Sequence, residues 1–155
     1  MRRGLSIIGL VILAVVLLPQ AADAMTTRSL SSAINQGRRS LGAPLLRRDA
    51  RLDAVARRRA AALEKALRLN HASSTTLRSY LRQAGYRTSR YGELLGADFI
   101  VAKTLVRGWT NSLQHRPILG DKRFKKMGIA VIKPTNRQAP YVEISVVILA
   151  GRSIL

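Results

Sequence analysis

Cysteine is absent from the 155-residue sequence, which also contains only two histidines and a single tryptophan. The absence of cysteine excludes disulfide bonds and lipid attachment at a lipobox cysteine, so the chain must fold without cross-links. Acidic residues are also scarce, since eight Asp and Glu accompany 27 Lys and Arg. The two histidines leave few candidate sites for zinc binding or for proton transfer near neutral pH.

Residues 1–24 predict a secretory signal peptide. Met1-Arg2-Arg3 forms a short positive head, an apolar run extends from Leu5 to Leu18, and Ala22-Asp23-Ala24 offers small residues to a signal peptidase. The pattern predicts general secretion, cleavage after Ala24 and a periplasmic or extracellular protein. An uncleaved membrane anchor is the alternative, although a spanning helix needs about 20 apolar residues.

The predicted mature chain is strongly basic. Without residues 1–24, which include Arg2, Arg3 and Asp23, 25 basic and 7 acidic residues remain, a formal charge of +18. Such a charge attracts anionic polymers or membrane surfaces over about 8 to 10 Å at ordinary salt, although arginine excess also follows from a GC-rich genome. Export and the scarcity of aromatic residues disfavour nucleic acid as the partner. An anionic envelope polymer, a lipid or a membrane surface is the expected partner class.

Hydrophobic periodicity predicts one domain, residues 25–155, of the α+β class. The predicted helices cover residues 26–41, 49–67, 75–84 and 99–113, and the predicted strands cover residues 128–133 and 141–149. Asp49 is the expected N-cap of the second helix, Ile100 is placed on or near the buried face of the fourth, and Pro117 is expected to end the helical pattern. The last strand is nearly all apolar from Ile144 to Leu149, which predicts that both of its faces are covered.

Both histidines and one glutamate are the candidate site residues. His71 follows the second predicted helix, Glu93 lies 22 residues later, and His115 lies another 22 residues on. A histidine at the end of a helix is also a favourable partner of the helix dipole. A carboxylate between two imidazoles is also a stable structural network in its own right. The residues alone leave these alternatives open.

Short segments between Asn35 and Val147 form a recognisable series. They are Asn35 with Arg39, Leu41-Gly42-Ala43-Pro44-Leu45, Leu52-x-x-Val55-Ala56, Ala84-Gly85-Tyr86 with Tyr91-Gly92-Glu93, Trp109-x-Asn111-Ser112-x-x-His115-Arg116-x-Ile118-Leu119, and Phe124-x-x-Met127-Gly128-Ile129. In order and spacing they resemble the CAP superfamily of cysteine-rich secretory, antigen 5 and pathogenesis-related 1 proteins, in particular its small bacterial members.

The resemblance implies a three-layer α-β-α sandwich with a small antiparallel sheet and a cleft that can bind zinc or another divalent cation. The matching positions are His71, Glu93 and His115. Two imidazoles and a carboxylate would fill three positions of a tetrahedral zinc ion and leave the fourth for water. Arg59 stands where the family often has histidine, and its charge would weaken cation binding.

The resemblance also bears on activity. It implies an exported, non-enzymatic module that binds an anionic envelope component or a lipid. The alternative is a metal-dependent hydrolase that uses the same cleft, and the absence of an evident nucleophile beside a histidine in the sequence counts against it. A third reading is a cationic envelope protein whose cleft residues only hydrogen-bond one another. The sequence does not indicate an oligomeric state.

Overall fold

A computed structural model describes residues 25–154 of the chain. The predicted signal peptide, residues 1–24, and its cleavage site lie outside the described residues. Within residues 25–154, no helix combines the length and the apolar character needed to cross a membrane. In chain order the elements are α1 (Thr27–Ser40), β1 (Arg47–Arg48), α2 (Ala50–Ala66), α3 (Ser74–Gln83), β2 (Tyr91–Ala97), α4 (Ala102–Asn111), α5 (His115–Leu119), β3 (Lys126–Ile132) and β4 (Ile144–Ala150).

The first two helices begin at polar capping residues. Thr26 and Ser29 form a reciprocal capping box at the start of α1. Asp49 caps α2 as predicted, because its carboxylate accepts a hydrogen bond of 3.0 Å from the backbone N–H of Arg51. These caps satisfy backbone donors that have no partner within the helix, and they explain why both helix starts could be predicted.

Four strands form one sheet in the order β1-β3-β4-β2. The central strand β4 pairs antiparallel with β2 and β3, while the two-residue β1 pairs parallel with β3. All seven residues of β4 are buried. The prediction that both faces of this strand are covered is therefore confirmed.

Alternate residues of β4 face two separate apolar cores. Val147 and Leu149 belong to the core formed with α1 and α4, whereas Val146 and Ile148 belong to the core formed with α2 and α3. Successive side chains of a strand point to opposite faces, so one strand serves both cores. The predicted α+β fold, a three-layer α-β-α sandwich, is confirmed.

The fourth helix and the turn after it differ from the prediction. α4 is shorter than predicted, and the side chain of Ile100 is 78% exposed instead of facing the core. Pro117 does not end the helical pattern but lies inside α5. The first residues of a helix have no intrahelical acceptor for their N–H groups, so a proline there costs no helical hydrogen bond.

Two of the strands were not predicted. β1 is too short to show a pattern, and β2 carries Gly92, Glu93 and Gly96 where a strand usually has branched or aromatic residues. β2 forms because it pairs along its whole length with β4. Pairing with a distant strand thus decides its structure.

Candidate functional site

His71 and Glu93 form the inner part of the candidate site. α2 ends at Leu67 in a left-handed conformation, with φ of 55°, and the chain then runs through His71 to the start of α3. The Nδ1 atom of His71 lies 2.8 Å from Oε2 of Glu93. Because an ionised carboxylate only accepts hydrogen bonds, we assign a proton to Nδ1 of His71, which donates it to Glu93.

The position of Glu93 in the sheet fixes its carboxylate. Glu93 is the third residue of β2 and lies opposite Ile148 of β4. Its neighbour Gly92 has little room for a larger residue, since an added Cβ would lie 3.1 Å from the side chain of Ile118 and 3.2 Å from that of Phe124. The Glu93 side chain is only 5% exposed, so its carboxylate needs partners inside the protein.

Arg59 is the charged partner of Glu93. It lies on the inward face of α2, is also buried, and donates through Nε to Oε1 of Glu93 at 2.7 Å. A second guanidinium nitrogen donates to the backbone carbonyl of Asn70. The backbone N–H of Ala72 donates to Oε2 of Glu93 at 3.1 Å. Both carboxylate oxygens of Glu93 are therefore engaged, one by a guanidinium and one by the His71 segment.

His115 approaches from the other side of the site. It begins α5, and its Nδ1 lies 2.9 Å from the hydroxyl oxygen of Ser112. The same oxygen accepts weak hydrogen bonds of 3.3 Å from the backbone N–H groups of Gln114 and His115. We therefore assign the Ser112 proton to the bond toward Nδ1, which places the proton of the neutral His115 ring on Nε2.

The two imidazole rings face each other without a direct bond. Their centroids are 6.4 Å apart, and the ring planes are inclined by 46°. Burial, and secondarily the charge of His71, lowers the pKa of His115 below its usual value. The lowered pKa favours the neutral form of His115. The structure brings all three predicted residues together, with Glu93 bonded to His71 and His115 held apart from the carboxylate.

This arrangement does not fit a three-ligand metal site. Both oxygens of Glu93 are engaged and its charge is balanced by Arg59, so the two imidazoles lack a free carboxylate as third ligand. Across residues 25–154, no group of three His, Cys, Asp or Glu side chains could hold a metal ion. The metal role of His71, Glu93 and His115 stays a prediction.

Two further residues of the site region were missed or misjudged from sequence. Arg38, at 0% exposure, donates to the backbone carbonyls of Pro44, Leu119 and Asp121, and so joins the link after α1 to the end of α5.

Ser112 places a hydroxyl beside a histidine, although no such pair was evident from sequence. Its two backbone bonds identify the hydroxyl as a cap of the turn into α5. No periodicity marks either residue.

The surface outside the cleft carries the excess of positive charge. In residues 25–154, four arginines form ion pairs with acidic side chains: Arg48 with Asp53, Arg51 with Asp49, Arg59 with Glu93 and Arg123 with Asp121. The arginines of this range that are exposed and form no ion pair are Arg28, Arg39, Arg47, Arg57, Arg58, Arg68, Arg78, Arg82, Arg87, Arg90, Arg107, Arg116, Arg137 and Arg152. Most of the basic surface therefore has no acidic partner within the described chain.

Comparison with known families gives one match. The family model described as the cysteine-rich secretory protein family, CAP, matches residues 32–149, which include all three candidate site residues. A comparison with curated proteins finds no match to the sequence.

Solved structures with the same fold come from several bacteria. An outer surface protein of Borrelia burgdorferi is 23% identical with a TM-score of 0.67, and the match covers 86% of this chain and all of that one. A cysteine-rich secretory protein of Staphylococcus aureus is 20% identical with a TM-score of 0.68, and an extracellular SCP-domain protein of Bacillus anthracis is 21% identical with a TM-score of 0.66. Each of these two matches covers 81% of this chain but only 38% and 40% of the other protein. The chain thus spans well under half the length of those two relatives.

Proposed function

The chain belongs to the cysteine-rich secretory protein family, and on that premise we propose that it is an exported, non-enzymatic module that binds an anionic component of the cell envelope. The observation that carries the proposal is the unpaired basic surface. The charges are arginines, whose planar guanidinium groups bind phosphate and carboxylate through two parallel hydrogen bonds. The similar structures from an outer surface protein and an extracellular protein support export.

The cleft supports binding more than catalysis. Glu93 is buried and paired with Arg59, so it is poorly placed to act as a general base, and the Ser112 hydroxyl is held by the backbone N–H groups of Gln114 and His115. His115 has a lowered pKa, but within the described chain no carboxylate contacts it that could orient it for proton transfer. Arg59, Glu93 and His71 form a hydrogen-bonded network that joins α2 and the segment after it to the sheet, and His115 lies beside this network without a bond to it.

Cosedimentation with lipid vesicles tests the proposal. Vesicles of phosphatidylcholine that contain phosphatidylglycerol should bind the protein, and vesicles of phosphatidylcholine alone should not. Binding should weaken as sodium chloride is added, because the Debye length falls from about 10 Å at 0.1 M to about 3 Å at 1 M salt. The variant His71→Ala with His115→Ala should bind as the native protein does. Equal binding to both vesicles, or binding that salt does not change, would contradict the proposal.

A metal-dependent hydrolase is the alternative, and it is favoured by the approach of the two imidazole rings. A calorimetric zinc titration of the native protein and the two histidine variants decides between the readings. One-to-one binding that is lost in both variants would support the alternative and justify a screen for hydrolysis. Absence of zinc binding would leave the basic surface as the functional feature.

A further inference from the structure

A cavity of about 300 Å³ lies between α3 and the loop that leads into β2. Arg78, Arg82 and Arg87 line it together with the apolar side chains of Leu81 and Ile154. None of its lining residues belongs to the group formed by Arg59, His71, Glu93 and His115. The cavity is therefore distinct from the candidate site.

The three arginines of this cavity lack internal partners of the kind that neighbouring arginines have. On α2, Arg51 pairs with Asp49 and lies over the Tyr86 ring, and Arg58 bonds Gln83 and lies over the Tyr80 ring. By contrast, no side chain of residues 25–154 bonds the guanidinium groups of Arg82 and Arg87. Arg78 makes a single long bond of 3.4 Å to the hydroxyl of Tyr91.

The same three charges repel one another. Arg78 and Arg82 are four residues apart on one face of α3, a spacing at which like charges destabilise a helix. Arg87 adds a third positive charge to the same cavity, and no carboxylate of the described residues lines it. An anion in the cavity would relieve this repulsion and accept charge-assisted hydrogen bonds from several guanidinium groups.

We propose that the cavity lined by Arg78, Arg82 and Arg87 is a binding site for a phosphate group that carries an organic substituent. Phosphate offers oxygens to several guanidinium forks at once, and three arginines line this cavity. The volume lies at the lower end of the range of about 300 to 1,000 Å³ for ligand pockets and leaves room beyond the anion. Leu81 and the exposed Ile154 supply an apolar wall for the substituent.

This inference rests on the proposed function and locates its site. The phosphate could belong to a lipid headgroup or to a soluble phosphate ester, so the test has two arms. The first arm follows the guanidinium NMR signals of the native protein during titration with inorganic phosphate. The second arm measures binding to phosphatidylcholine vesicles that contain phosphatidylglycerol. Both arms compare two double variants. The cavity variant is Arg82→Gln with Arg87→Gln. The control is Arg57→Gln with Arg107→Gln, which lowers the net charge by the same amount but changes exposed arginines outside the cavity.

Saturable shifts of Arg78, Arg82 and Arg87 with phosphate are expected in the native protein and in the control, and the shift of the remaining Arg78 should be lost in the cavity variant. Vesicle binding should fall about tenfold or more in the cavity variant and much less in the control. Phosphate shifts without a difference in vesicle binding would support the site with a soluble ester as its source. Equal weakening by both variants and no saturable shift would overturn the site while leaving the proposed function intact. Absence of any preference for anionic vesicles would instead count against the proposed function.

Discussion

Glu93 illustrates how a buried charge organises the candidate site. Its carboxylate accepts hydrogen bonds from Arg59, His71 and the backbone of Ala72, while the side chains of Arg59 and Glu93 are only 7% and 5% exposed. Taking two charges out of water is costly, and their attraction compensates only when geometry and hydrogen bonding are good. The stability of this site therefore depends on both partners being present.

We expect Glu93→Ala to lower the free energy of unfolding by about 3 to 5 kcal/mol, because it leaves the buried charge of Arg59 without a partner. Adding Arg59→Met should recover part of that loss, since the uncompensated charge is then removed. Urea denaturation of both single variants and the double variant gives the coupling between the two sites. Arg57→Met, an exposed arginine of the same helix, is the control and should change stability by about 0.5 kcal/mol or less. Additive losses, or an unchanged Glu93→Ala variant, would contradict this account.

At the scale of single residues, sequence indicated which residues meet but not which bonds they make. His71, Glu93 and His115 were chosen by residue type and order, and the structure places them in one region. The pairing of Glu93 with Arg59 could not be read from the chain, because the two residues are 34 positions apart and arginine at a helix position is usually exposed. Only the packing of α2 on the sheet determines that pairing.

α2 packs closely on β3 at Gly128, where the backbone of the helix meets the strand. A Cβ added at Gly128 of β3 would lie 2.0 Å from the carbonyl carbon of Leu52 and 2.4 Å from the nitrogen of Asp53. Both are backbone atoms of α2, so no side chain can move aside. The Asp53 carboxylate also accepts a bond of 2.8 Å from the N–H of Ile129, which locks the helix to the strand.

We expect Gly128→Ala to lower the free energy of unfolding by about 3 kcal/mol or more, because overpacking at a rigid position forces the helix away from the sheet. Gly108→Ala on α4 is the matched control. An added Cβ there meets nothing within 4 Å, and alanine suits a helix better than glycine, so stability should rise by about 0.5 to 1 kcal/mol. Thermal and urea unfolding of the two variants checks both signs. Similar effects at the two glycines would show that the close contact does not limit stability.

At the scale of elements, prediction from sequence succeeded where the signal is local. Thr26 and Asp49 fix the starts of α1 and α2 through bonds to residues two or three positions away. β2 was not recognised because its stability comes from β4, about 50 residues later in the chain. The extent of α4 was overestimated because apolar residues such as Ile100 continue the pattern beyond the helix without being buried.

Across the whole molecule, the acidic side chains are already used in the fold. Asp49, Asp53, Glu93 and Asp121 pair with arginines, while Glu64 accepts bonds from Thr135 and Asn136. Asp98 binds the backbone at Val142 and Glu143, and burial raises the pKa of Glu143. Within residues 25–154, Glu143 keeps a buried carboxylate oxygen without a partner, and the seven acids are too few to balance the surplus arginines, whose overall number was evident from composition. Their mutual repulsion therefore opposes the compact state.

We expect the melting temperature to rise as sodium chloride is added, because salt screens repulsion among many exposed charges. Screening also weakens the exposed pairs of Arg51 with Asp49 and Arg123 with Asp121, but such pairs contribute only about 0 to 1 kcal/mol each. A gain of about 1 kcal/mol would raise the melting temperature by about 3 to 6 °C in a domain of this size.

A variant with Arg57, Arg68, Arg107 and Arg137 changed to glutamine should melt higher at low salt and respond less to added salt. Calorimetry in a chloride series measures both proteins. A melting temperature that falls with salt would mean that attraction between opposite charges outweighs repulsion among the arginines. The surplus positive charge would then not destabilise the fold, and binding an anionic partner would relieve no repulsion.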